Sequence, residues 1–253
     1  MTLCLAIKVA DGIVGIADSR VTSGTERISV KKVTVLERSG HSMFLMTSGL
    51  RAIRDKAVTY FEEAIAEQDQ SFDKIYKVVN AFADQIRRVA EEDRDAIVAS
   101  GMQFDVSALV GGQLERDDEH RLYLLYPQGN WVEVAPGAPY FAIGESAYGK
   151  PILDRTLTYD TSMEDALKIA YLAFDATRTS ATDVGFPLDV VVYKRDSYHI
   201  VEHRYERDDL RHVSEWWQLR VREAIEEVPA EWVSDVFSKI RPKVVPLDQP
   251  GAS

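Results

Sequence analysis

The chain has 253 residues, 45% of them hydrophobic, and carries 30 basic against 41 acidic side chains for a net charge of -11. That length and composition describe a globular protein with one sizeable core, and the acidic excess opposes partners that need a basic patch, namely nucleic acid and anionic membranes. The single cysteine, Cys4, excludes an internal disulfide, no run is long and apolar enough to span a bilayer, and no signal-peptide pattern opens the chain. A cytoplasmic protein is expected.

The first elements are two short apolar runs, Leu3 to Val9 and Ile13 to Asp18, flanking Asp11-Gly12, a strong turn signal. With a three-residue loop, Ala10 to Gly12, and Gly12 as the left-handed residue, Val9 faces Ile13, Cys4 faces Asp18 and Thr2 faces Arg20. A two-residue loop shifts the register by one and sends Thr2 and Asp18 to opposite faces. The three-residue loop is the preferred reading. It places Leu3, Leu5, Ile7, Val9 and Ile13 on one face and Cys4, Ala6, Val14 and Ile16 on the other. Both faces are apolar, so the pair is expected to be covered on both sides.

Val21 to Ile28 reads as a polar loop containing Gly24. Strands follow at Lys31 to Leu36 and, after a turn at Ser39-Gly40, at Met43 to Thr47. From Arg51 the apolar spacing becomes helical, through about Glu67, and a second helix begins near Phe72 with Asp73 in its first turn. Strands return at Val106 to Val110, Leu122 to Tyr126, Trp131 to Val134 and Tyr140 to Ile143. Helices are expected at Ala147 to Leu153 and from Ser162 to about Thr179, where Ser162 with Glu164 and Asp165 forms a start signal. A last hairpin, Leu188 to Tyr193 and His199 to Val201, precedes a tail whose Trp216, Trp217, Leu219, Ile225, Trp232, Val236, Phe237 and Ile240 suit one or two amphipathic helices before a Pro-containing end. This order fits two face-packed sheets with a helix pair outside each.

A threonine at position two permits removal of the initiator Met, which leaves Thr2 with a free amine beside its own hydroxyl. A hydroxyl is a weak nucleophile that needs a base, and an N-terminal amine, with an ordinary pKa of about 7.7–8.0, supplies one. Position alone is weak evidence, since many proteins carry Thr2 for no chemical reason. Asp18 with Arg20, taken alone, is an edge ion pair, Lys31-Lys32 a pair of solvated edge lysines, and Cys4 a small buried hydrophobe.

Together, Thr2, the segment Gly15-Ile16-Ala17-Asp18-Ser19-Arg20 and Lys31-Lys32-Val33 resemble the N-terminal threonine hydrolases of the proteasome β-subunit superfamily. The segments Ile143 to Arg155 and Gly185-Phe186-Pro187-Leu188-Asp189 resemble its bacterial branch, Anbu, the ancestral β-subunit, and the C-terminal extension is similar too. The resemblance implies an α+β fold, the four-layer αββα sandwich of an N-terminal nucleophile hydrolase, over residues 1–205, with a helical extension over 206–253. It implies Thr2 as nucleophile, with Asp18 orienting Lys32, and the amide of Ser48 or Gly49, in Thr47-Ser48-Gly49, as the oxyanion donor. The family's Asp and Ser that support the amine have no clean match; Ser180 and Asp183 are candidates, Ser146 offers another hydroxyl, and Arg20 belongs to the supporting set.

The expected function is a threonine-type amidohydrolase acting on a peptide or amide through an acyl-ester. The alternatives are a small-molecule amide or peptide hydrolase on the same fold, or a non-catalytic assembly subunit. Self-association into dimers and larger rings or helices is implied, and the sequence identifies no unfoldase partner. No cofactor or metal is expected: His199 and His203 lack the helical His-Glu-x-x-His setting of a zinc site, and Gly144-Glu145-Ser146-Ala147-Tyr148 lacks the final Gly of a nucleophile elbow.

Overall fold

The computed structural model describes residues 2–23, 26–38, 40–68 and 72–240. Met1, Gly24, Ser39 and the Pro-containing end, which entered the sequence reading, lie outside them. In chain order the elements are β1 (Leu3–Val9), β2 (Gly12–Asp18), β3 (Arg20–Ser23), β4 (Glu26–Ser29), β5 (Val33–Arg38), β6 (His41–Gly49), α1 (Arg51–Gln68), α2 (Ile75–Ala99), β7 (Val106–Leu114), β8 (Arg121–Leu125), β9 (Trp131–Glu133), β10 (Tyr140–Gly144), α3 (Lys150–Thr156), α4 (Met163–Ser180), β11 (Leu188–Lys194), β12 (Ile200–Tyr205), α5 (Arg211–Glu226) and α6 (Glu231–Phe237). They form two compact units, Met1–Leu210 and Arg211–Ser253.

In the first unit, one sheet runs β10-β1-β2-β11-β12 and the other β5-β6-β7-β8-β9. Between them lies a core of Cys4, Ala6, Ile13, Ala17, Phe44, Met46, Leu109, Leu122, Val191 and Tyr193. The helices α1 and α2 cover the outer face of the second sheet through Ile53, Phe61, Val79, Phe82 and Ile86, and α4 lies on β1 and β2 with α3 beside it. This is the four-layer αββα sandwich. It forms because strands apolar on both faces must be covered twice.

The hairpin itself differs from expectation. Val9 pairs with Gly12, Lys8 with Ile13 and Cys4 with Ala17, so the loop is the two residues Ala10 and Asp11. Ile13 therefore joins Cys4 and Ala6 in the inter-sheet core, while Val14 and Ile16 pair with Ile7 and Leu5 on the helix-covered face. Gly12 is not the left-handed turn residue. It is a close-approach glycine, where a Cβ would stand 2.1 Å from the Tyr193 carbonyl and 2.9 Å from the Met163 thioether. Tertiary contact with β11 and α4 fixes the register, and local turn preference gives way to it.

Two smaller expectations are also corrected. The Val21 to Ile28 loop contains a separate two-stranded ladder, β3 with β4, in which Arg20 pairs with Ser29 rather than with Thr2. Asp73 precedes α2 and binds Lys77 and Arg116. The first amide of that helix, Ile75, is received by Asp117, in the turn that follows β7, at 3.0 Å. An acid distant in sequence thus caps a helix end whose preceding residue, Lys74, cannot accept. Ser162, by contrast, caps α4 by accepting the Asp165 amide at 3.1 Å, as its start signal predicts.

Candidate active site

The site forms where β1 begins, β2 ends and β5 approaches. Asp18 is fully buried at the last ladder position of β2. Its Oδ1 accepts the Leu3 amide at 2.9 Å and the Lys32 ammonium at 2.7 Å, and its Oδ2 faces the Gly185 amide at 3.4 Å. Lys32, also buried, donates a second bond to the Arg20 carbonyl at 2.8 Å. The two-residue register does separate Thr2 and Asp18 on the ladder. The carboxylate instead reaches β1 through its backbone, at the residue after Thr2. Burial lifts the Asp18 carboxyl above its ordinary range, and Lys32 and the two backbone amides only partly offset this.

Thr2 is buried, and its carbonyl accepts the Glu145 amide at 2.6 Å. Gly144, with φ of +81°, lies against it: a Cβ there would stand 1.9 Å from the Thr2 oxygen and 3.1 Å from Ser48 Oγ. The start of β1, the end of β10 and the end of β6 therefore meet at one point. Ser48 and Gly49 close β6, pairing with Ser107 and Val106. Gly49 is held at φ of +122° because its backbone packs on the Asp105 carbonyl.

Arg20 reaches across to the segment between α4 and β11, donating to the Thr182 carbonyl at 3.1 Å and packing over Gly185. Asp183 lies in that same segment. Ser146 follows Glu145, whose amide binds Thr2, and its own carbonyl accepts the Lys150 amide as α3 begins. Ser180 is exposed at the last residue of α4. Cys4 is buried in the inter-sheet core with its Sγ towards the Thr47 carbonyl, and burial pushes its thiol up to about 12, which suits an inert hydrophobe. A cleft of about 240 Å³ opens beside Lys32 and Thr47, walled by Thr34, Arg54, Asp55 and Val58.

Sequence reasoning missed Gly144 as a site residue and also Ser19, Asp189 and Arg204, which are described below. The available signal for Asp189 was its place as a lone carboxylate inside the apolar strand Leu188-Asp189-Val190-Val191, since a buried charge requires a partner.

An αββα sandwich with a threonine, an aspartate and a lysine brought to the start of its first strand defines a proteasome-type β-subunit fold. The chain belongs to the proteasome family: the model described as "Proteasome subunit" matches residues 2–193. Within it, the chain matches solved structures of Anbu. Anbu (Gly-1) mutant from Hyphomicrobium sp. strain MC1 is 29% identical with a TM-score of 0.83, over 90% of this chain and 99% of that one. Anbu (ancestral beta-subunit) from Yersinia bercovieri is 28% identical with a TM-score of 0.82, over 90% and 97%. The helical assembly of the Anbu complex from Pseudomonas aeruginosa is 30% identical with a TM-score of 0.82, again over 90% and 97%. The search of curated proteins returned no match.

Proposed function

We propose that the chain is an N-terminal threonine amidohydrolase, a proteasome-like cytoplasmic peptidase whose nucleophile is the Thr2 hydroxyl once Met1 is removed. The observation that carries this reading is the buried Lys32–Asp18 pair hooked onto β1 through the Leu3 amide, next to Thr2. A buried ion pair contributes little net stability, because desolvation offsets its Coulomb attraction. One placed beside a threonine at the chain start fits a chemical role better.

In this reading the freed Thr2 amine takes the hydroxyl proton, directly or through water, as Oγ1 attacks the amide carbonyl of the substrate. The amide of Ser48 or Gly49 donates to the developing oxyanion. The leaving nitrogen takes the proton and departs, and water then cleaves the acyl-ester, releasing the acid and restoring the hydroxyl. Lys32 stabilises the negative charge that builds at Oγ1, and Asp18 orients Lys32. Ser146, Ser180 and Asp183 are the candidates to support the amine.

The test begins with intact mass, which reports whether Met1 is gone. A peptide epoxyketone should then add once to the Met1-free protein, and Thr2→Ala should take up none. A folded, Met1-free protein that stays unmodified would remove the enzymatic reading and leave an assembly subunit.

Self-association is proposed on the same grounds. The P. aeruginosa relative is a helical assembly, and in the second unit α5 leaves Trp216, Leu219, Val221 and Ile225 exposed on more than one side of the helix, large apolar side chains of the kind buried when interfaces form. Trp216→Glu with Ile225→Glu is expected to reduce the sedimenting species to smaller ones. Unchanged sedimentation would place the contact elsewhere.

A further inference from the structure

Next to Asp18, Ser19 has no exposed surface, and every polar atom it owns is engaged. Its amide donates to the Pro187 carbonyl at 2.8 Å, and its carbonyl accepts the Val30 amide at 2.8 Å. Its hydroxyl donates to Asp189 Oδ2 at 2.5 Å. Asp189 is itself buried and gripped from the neighbouring strand by Arg204, whose Nε reaches Oδ1 at 2.7 Å and whose Nη2 reaches Oδ2 at 2.9 Å and Ser19 Oγ at 3.2 Å. Asp189 and Arg204 are cross-strand partners in β11 and β12.

This arrangement stands where the first sheet comes apart. The β1–β2 ladder ends at Ala17 and the β2–β11 ladder at Asp18, paired with Leu188, and the chain then leaves the sheet to pair as β3 with β4. A chain leaving a sheet is free to rotate about its last ladder residue. Asp18 is that residue, and Arg20, which follows Ser19, supplies the second acceptor for Lys32. Both contacts of Lys32 therefore flank Ser19 in sequence. A bidentate Arg–carboxylate fork is the most directional charged hydrogen bond available to side chains, and here it is aimed at a single hydroxyl.

We propose that Asp189, clamped by Arg204, is a positioning residue that acts through Ser19 to hold Asp18 and the Arg20 carbonyl on Lys32. It lies outside the nucleophile, lysine and oxyanion set. It rests on the threonine reading only for its catalytic consequence; the positioning itself does not.

Ser19→Ala tests it most cleanly, because it cuts the link while leaving the Asp189–Arg204 pair in place; Arg204→Lys keeps the charge and loses the fork. In the full chain, epoxyketone labelling of Thr2 should slow by about tenfold or more in Ser19→Ala, the scale on which misplacing a reacting group is felt, and by less in Arg204→Lys. The acidic limb of the labelling profile should move to higher pH, since a loosened Asp18 loses the Lys32 ammonium that offsets its burial. A purely structural role would scale the rate equally at all pH values. Hydrogen exchange gives a readout independent of activity: the Leu3 and Val30 amides, donors to Asp18 and Ser19, should lose protection in Ser19→Ala. Protected Leu3 and Val30 with an unmoved pH limb would overturn the proposal. If the unmutated protein never labels, the threonine reading fails, and the exchange measurement alone decides the positioning.

Discussion

Replacing Lys32 by alanine is expected to bring epoxyketone labelling of Thr2 to background and to destabilise the fold by about 3–5 kcal/mol, because it leaves a buried carboxylate without its counter-ion. Asp18 would retain only the Leu3 amide and the long contact from Gly185. Its carboxyl, already raised by burial with Lys32 present, rises further once the ammonium is gone. The sign of the pH dependence follows. A carboxyl raised in the folded state favours folding below its unfolded pKa of about 3.9 and loses that contribution as pH climbs through the folded value. The Lys32→Ala defect should therefore be larger in denaturant titrations at pH 7 than at pH 5. Adding Asp18→Asn to Lys32→Ala should recover most of the lost stability and none of the labelling. Equal defects at the two pH values would mean that Asp18 is not the group left stranded.

Gly144→Ala is the second substitution with a large expected effect, for a reason that involves no charge. Its φ of +81° disfavours any L side chain, and the new Cβ would be driven to 1.9 Å from the Thr2 carbonyl. The backbone strain alone is worth about 1–3 kcal/mol. Relieving the clash requires the start of β1 to move away from β10, which breaks the Glu145 bond to Thr2 and the pairing of Leu3 with Gly144. Thr2 labelling should fall by about a hundredfold, since small displacements of a reacting group are felt steeply, with a clear drop in melting temperature. Gly137→Ala is the matched control, because a Cβ there meets nothing within 4 Å; both quantities should stay as in the parent. If Gly144→Ala labels normally, Thr2 is not held by β10 in the reactive state.

Much of the fold is legible in the sequence because element type is a local property. The 3.6-residue spacing of Ile75, Val78, Val79, Phe82 and Ile86 requires a helix with one apolar face, and that face is buried as α2. The near-continuous apolar runs of β1 and β2, broken only by Lys8 and the terminal Asp18, require a sheet covered on both sides, and every residue of both strands is buried. The candidate site was legible as residue types at given places in the chain: Thr2 at the start, Asp18 where an apolar strand turns polar, and Lys32 ahead of Val33.

The hairpin register was not legible, for the same reason that the double burial was. A one-residue slip is forbidden when one face is polar and the other apolar; with both faces apolar, Leu3 and Cys4 are equally acceptable on either side. Contacts from distant chain settle it. Gly12 passes under the Tyr193 carbonyl and Gly15 under Met46 and Val191, where a Cβ would stand 2.4 Å from the Met46 methyl and 2.8 Å from Val191. The grip of Asp189 and Arg204 on Ser19 likewise joins residues 170 and 185 positions apart. By itself, then, the sequence determined the layers of this protein and the chemical groups at its N-terminal end, since periodicity and residue type act over a few positions. Only the tertiary structure decided which strand faces meet, how Asp18 reaches the backbone beside Thr2, and what holds it there, because those are set by backbone close approach and by hydrogen bonds between strands far apart in the chain.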